Sequence, residues 1–113
     1  MDNIEKFLKV ISDKNRLRIL RILSARKMCV CELSFILGIT QPSVSKHIKK
    51  LKVAGMIASE QDHFWTNYYI KNYRGFKKAI WAYLKKFLNG EAIVKRDLQK
   101  LKKADRFRLC CKK

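Results

Sequence analysis

Apolar residues recur at helical spacing along most of the chain. Ile4, Phe7, Leu8 and Ile11 repeat three and four residues apart, which predicts a short amphipathic helix beginning near Asp2. Asp13 is placed to cap a second helix, with Leu17, Leu20, Ile22 and Leu23 on its buried face and Arg16, Arg18 and Arg21 at more exposed positions. Leu33, Ile36 and Leu37 mark a third helix. Gly38 stops it, because glycine accepts the left-handed backbone that ends a helix. Thr40 offers a side-chain oxygen to cap a fourth helix, and Pro42 is tolerated in its first turn, where backbone N–H groups have no partner. In that helix Val44, Ile48 and Leu51 fall at i, i+4 and i+7 and make an inward stripe.

After Gly55 the period changes. Ile57 to Gln61 and Trp65 to Lys71 are short runs rich in β-branched and aromatic residues, separated by Asp62-His63-Phe64. They predict a two-stranded hairpin whose turn lacks the usual glycine, with Tyr69 and Ile70 as its anchors to the helical core. Between Tyr73 and Leu88 the helical period returns. Phe76, Ile80, Leu84, Phe87 and Leu88 form a wide apolar stripe with Trp81 and Tyr83 beside it, more apolar surface than so small a core needs. Asn89-Gly90 interrupts the pattern, and Glu91 begins a last amphipathic segment with Val94, Leu98 and Leu101 in line. The sum is a mainly α fold with a small β-hairpin.

The helix capped by Thr40 has two unlike faces. Opposite its apolar stripe lie Pro42, Ser43, Ser45, Lys46, Lys49 and Lys50, short hydroxyls and long cations. Hydroxyls near a helix start can meet phosphates or base edges, and lysines neutralise phosphate charge, so the face suits a DNA major groove. A solvated lysine-rich face on an ordinary core helix has the same pattern. Composition then favours a polyanionic partner. Lys plus Arg number 27 against 9 Asp plus Glu, a formal net charge of +18. A membrane surface is the rival polyanion, but no stretch approaches the roughly 18 apolar residues of a spanning helix. The start, MDNIEKFLKV, lacks the basic then apolar pattern of a secretion signal. The expectation is a cytoplasmic protein without a membrane partner, with residues 1–113 as a single domain and a C-terminal helix and tail from about residue 90.

The four cysteines come as two close pairs, Cys29 with Cys31 and Cys110 with Cys111. In a reducing compartment they are thiols, soft ligands selective for thiophilic ions such as trivalent arsenic and antimony, cadmium or lead. Cys29 and Cys31 fall at a helix start, where the positive end of the helix dipole favours thiolate. Two thiolates are too few for a tetrahedral zinc site, so further donors must come from elsewhere. The plainer readings are that the first pair merely fills space at a helix start and that the second belongs to an inert tail. A thiol redox enzyme fits poorly. CxC is not CxxC, no βαβ pattern surrounds it and no histidine lies close in sequence.

The stretch CVCELSFILGITQPSVSKHIKKLKVAGMI, with SDKNRLRILRIL before it and a hairpin ending NYYI after it, resembles the ArsR/SmtB family of metal-responsive repressors. The resemblance runs from about Lys9 to Lys71 and implies a dimeric winged helix-turn-helix that binds operator DNA and releases it when a metal or metalloid binds. It makes the fourth helix the recognition helix, with Gln41, Ser43, Ser45, Lys46, His47, Lys49 and Lys50 as its DNA-binding residues and His63 in the wing. It also implies that the stripe from Tyr73 to Leu88 pairs with its copy across a homodimer axis, joined by the first helix. Cys29-Val30-Cys31-Glu32-Leu33 looks like the CVC(D/E)L box of the arsenic-sensing branch, which implies trivalent arsenic or antimony as inducer and no organic cofactor. That branch often carries a third cysteine where this chain has Ser34, so Cys110 or Cys111 becomes the replacement ligand, from the same subunit or its partner. The family's other metal site, on the dimerisation helix, uses histidines and carboxylates, and between Tyr73 and Leu88 this chain has none. Cadmium or lead, or oxidation of the thiols, is the alternative signal for the same fold.

Overall fold

Local hydrogen bonds set the helix limits in the computed structural model, which describes residues 1–109. The elements are α1 (Asp2–Ile11), α2 (Lys14–Leu23), α3 (Val30–Leu37), α4 (Gln41–Val53), β1 (Ile57–Asp62), β2 (Trp65–Ile70), α5 (Gly75–Leu88), α6 (Ala92–Lys103) and the single turn α7 (Arg106–Leu109). Asp13, in extended backbone, caps α2 by accepting the Arg16 N–H at 3.0 Å. Gly38 ends α3 at φ 71, with its N–H bonded to the Ser34 carbonyl at 2.9 Å. Thr40 Oγ1 accepts the Ser43 N–H at 3.3 Å and so starts α4 with only three residues between it and the end of α3.

The core lies where α2, α3, α4 and the base of the hairpin meet. Ile19, Leu20, Ile22, Met28, Leu33, Val44, Leu51 and Met56 are each fully buried there. Met28 joins the hairpin as a bridge, its N–H donating to Tyr68 O at 3.2 Å and its carbonyl accepting the Tyr68 N–H at 2.8 Å. In the hairpin Asp62 pairs with Trp65, so the turn is only His63-Phe64. His63 has φ 55, the positive angle that type II′ turns need at their first position and glycine usually supplies.

Three details differ from the sequence expectation. Tyr68 and Ile70, not Tyr69 and Ile70, meet the core, because residues two apart share a face of a strand. The Tyr69 ring instead takes the Lys27 ammonium 5.6 Å from its centroid. Helix α5 begins at Gly75 (φ 60), which leaves Tyr73 outside it to donate its hydroxyl to Met56 O at 2.9 Å. Arg18 is buried rather than exposed. α6 lies across α2 and α3, and its Asp97 receives Arg18 in a fork, Nε to Oδ2 and Nη2 to Oδ1 both at 2.8 Å.

Only Trp81 of α5 is buried. Tyr83 and Phe87 stand 67% and 60% exposed with their rings edge to face 5.2 Å apart, and Ile4 and Leu8 of α1 are also exposed. No described helix is long and apolar enough to cross a membrane.

Candidate nucleic-acid interface and thiol site

Burying Val44, Ile48 and Leu51 turns the other side of α4 to solvent. Gln41, Ser45, Lys46, Lys49 and Lys50 are exposed, while Ser43 and His47 are half-buried. Ser43 Oγ accepts from the cap hydroxyl of Thr40 at 3.1 Å. His47 turns Nδ1 toward the start of α2, 3.6 Å from Asp13 Oδ2 and 3.4 Å from Arg16 Nη1. Lys52 reaches the wing, its Nζ 2.7 Å from Ser59 Oγ, which ties the end of α4 to β1. His63 is exposed at the hairpin tip beside Asp62 Oδ1 at 3.0 Å. The cations of α4 therefore sit on one open face, and His63 marks the tip of a separate projecting hairpin.

The thiol pair is built by the start of α3. Cys29 is the N-cap residue, 4% exposed, and Cys31, the second residue of α3, is half-buried. Gln41, the first residue of α4, donates from Nε2 to Cys31 Sγ at 3.6 Å. Ser34 is engaged elsewhere, its hydroxyl donating to Ile39 O at 2.6 Å across the α3–α4 turn. Among the described residues no three His, Cys, Asp or Glu side chains group to hold a metal ion. Cys110 and Cys111 lie outside the described residues.

Next to the cysteines stands a carboxylate that the sequence reading passed over. Glu32 is 1% exposed, and its Oε1 accepts the Cys29 N–H at 3.1 Å, closing a capping box around the helix start. The same oxygen receives Arg106 Nη2 at 3.1 Å, and Oε2 receives Arg26 Nη1 at 3.3 Å. Arg106 also donates to the buried Asn67 Oδ1 at 2.6 Å and lies 5.1 Å from the Trp65 ring centroid, both on β2. Glutamate three residues after a cap position was the available signal for the cap. Nothing local announced Arg106.

Two helices joined by a three-residue turn and followed by a projecting hairpin, with hydroxyls and cations on the open face of the second helix, define a winged helix-turn-helix DNA-binding protein. Residues 13–59 match the family described as bacterial regulatory protein, arsR family, and the chain belongs to that family of DNA-binding transcriptional regulators. It is 36% identical over 74 residues to an HTH-type transcriptional regulator of Methanocaldococcus jannaschii, covering 62% of this chain and 83% of that one. It is 34% identical over 71 residues to the cadmium resistance transcriptional regulatory protein CadC of Listeria innocua (62% of this chain, 60% of that one). An arsenical resistance operon repressor of Bacillus subtilis is 38% identical over 65 residues (57% of this chain, 62% of that one). The chain thus spans about 60% of the length of these two resistance regulators. Among solved structures, HlyU from Vibrio cholerae superposes with a TM-score of 0.67 at 24% identity, covering 76% of this chain and 88% of that one, which shows the shared fold.

Proposed function

We propose that this regulator is a homodimeric repressor that holds operator DNA and lets it go when trivalent arsenic or antimony is captured by the Cys29 and Cys31 thiolates, with Cys110 or Cys111 as a further donor. The observation that carries the reading is the 3.6 Å hydrogen bond from Gln41 to Cys31 Sγ, which joins the thiol pair to the first residue of the recognition helix. Ligation changes the charge and the bonding geometry of Cys31 Sγ, the atom that Gln41 holds, and this contact is the route by which capture of an ion reaches the start of α4. Arg106 supports a same-chain third donor. It is held to Glu32, and Cys110 follows it by four residues in the sequence.

In this reading Ser43, Ser45, Lys46, Lys49 and Lys50 of α4, with Gln41 at its start and His47 on its flank, meet the major groove, and His63 meets the backbone from the wing. The exposed Tyr83 and Phe87 of α5, with Ile4 and Leu8 of α1, form the dimer surface, and the whole chain acts as one cytoplasmic domain. Sedimentation at increasing concentration is expected to return a dimer mass. A concentration-independent monomer would remove the dimer from the proposal.

Driving a population from 1% to 99% released takes about 5.5 kcal/mol of differential affinity between the two states. Reciprocity then requires DNA to weaken inducer binding by the same factor that inducer weakens DNA binding. The test is fluorescence anisotropy of a labelled duplex from upstream of this protein's own coding sequence, titrated with arsenite under reductant. Release from wild type but not from Cys29→Ser/Cys31→Ser is expected. Retention by both proteins rejects arsenic as the signal. The similarity to CadC of Listeria innocua makes cadmium the second reading, with lead or an oxidant after it.

A further inference from the structure

Beside the recognition helix runs a groove of about 950 Å³ whose walls are α1 and α4. Lys6 and Lys9 of α1 face Lys46, Lys49 and Lys50 of α4 across it, with Arg16 of α2 beside them; no carboxylate is among the described lining residues, and the nearest, Asp13 beside His47 and Glu5 beside Lys9, lie behind them. Phe7 and Ile11 hold α1 in the core, and Arg16 ties its C-terminal end to this flank. Its Nε donates to Val10 O at 2.5 Å and its Nη2 to Lys9 O at 3.5 Å, while Nη1 stands 3.4 Å from His47 of α4. The C-terminal carbonyls of α1 are thereby bolted to the flank of the recognition helix. Val53, among the groove's lining residues, is 82% exposed.

We infer that this groove is a second DNA-backbone contact, in which α1 and α4 straddle one sugar-phosphate strand. The inference rests on the placement of α4 in the major groove. A helix with its side chains is about 10–12 Å across and the major groove about 12 Å wide, so α4 fills it and its flanks meet the strands that wall it. Lys46, Lys49 and Lys50 then meet the inner side of one strand, and Lys6 and Lys9 the outer side. The sugar edges lie over Val53. Duplex DNA offers a charge about every 1.7 Å of axis, whereas a second copy of this chain brings only 9 acidic residues against 27 basic ones. Lys9 is available for the role, since its pair with Glu5 at 3.8 Å is solvent-exposed and contributes little.

Phosphate binding of this kind is independent of sequence, so a labelled duplex of mixed sequence is a sufficient probe. Its affinity is measured across a KCl series for the full chain, for Lys6→Gln/Lys9→Gln, for Lys46→Ala, and for Lys78→Gln/Lys86→Gln on α5, which removes the same charge elsewhere. The α1 variant is expected to bind more weakly, with the slope of log affinity against log salt reduced by about 0.9 for each phosphate that is no longer neutralised. The α5 variant is expected to keep the wild-type slope. If the α1 variant behaves like the α5 variant while Lys46→Ala still binds more weakly with a shallower slope, the groove inference fails and the recognition helix stands. If Lys46→Ala is also unchanged, the placement of α4 fails and the groove with it. Loss of dimer mass together with DNA affinity in the α1 variant would make the groove a subunit interface and overturn the inference as well.

Discussion

Asp97→Ala is expected to lower the free energy of unfolding by about 3–5 kcal/mol, measured by urea denaturation. Asp97 is 2% exposed and Arg18 7%, so removing the carboxylate leaves a guanidinium shut away from water with its fork unanswered. The remaining acceptors, Asn15 Oδ1 at 2.9 Å and Leu37 O at 3.1 Å, are neutral and cannot replace a charge. Arg18 also spans α2, the end of α3 and α6, so its misplacement disturbs the base on which α4 sits. The charge itself is not the source of stability. A buried pair exchanged for apolar residues of similar volume is often neutral or stabilising, so Arg18→Met/Asp97→Leu should recover most of the loss. A cost below about 1 kcal/mol for Asp97→Ala would mean that α6 is held by its apolar face alone.

Glu32→Ala is the second large effect, with an expected cost of about 3 kcal/mol, near the lower end for a broken buried pair because Arg106 keeps Asn67 and the Trp65 ring. Arg26 is 41% exposed at its side chain and can return to water, whereas the Arg106 side chain is only 16% exposed. The Cys29 N–H also loses its acceptor, which loosens the first turn of α3 where both cysteines sit. Emission from Trp65 should change with it, since its cationic neighbour is then held only from the wing. Glu32→Gln retains an acceptor for the cap and should cost less. Wild-type stability and unchanged emission in Glu32→Ala would show that this network does not hold α7 against α3.

Both effects centre on residues that the linear pattern misassigned or left out, and the reason lies in how far each interaction reaches along the chain. Helix limits were legible because they depend on near neighbours. Asp13 bonds the backbone three residues on, Thr40 does the same for Ser43, and Gly38 needs only its own φ. The unlike faces of α4 were legible because its period alone separates Val44, Ile48 and Leu51 from its lysines. The close spacing of Cys29 and Cys31 likewise lies within one turn of chain.

Tertiary structure decided the rest. Whether Tyr68 or Tyr69 faces the core is a one-residue question of strand register, and it is answered by the bridge to Met28, forty residues earlier. Arg18 shares its helix with two more exposed arginines, and only Asp97, seventy-nine residues away, draws it inside. Arg106 reaches Glu32 across seventy-four residues to set the wing and the last helical turn beside the thiols. The sequence by itself determined the order of elements, the cationic face and the thiol pair, because these follow from hydrogen bonds and periodicity within a few residues. Which charges are buried, and that Cys31 Sγ meets Gln41 of α4 while the Cys29 N–H meets a carboxylate tied through Arg106 to the hairpin, required the docking of distant segments, whose partners no local pattern names.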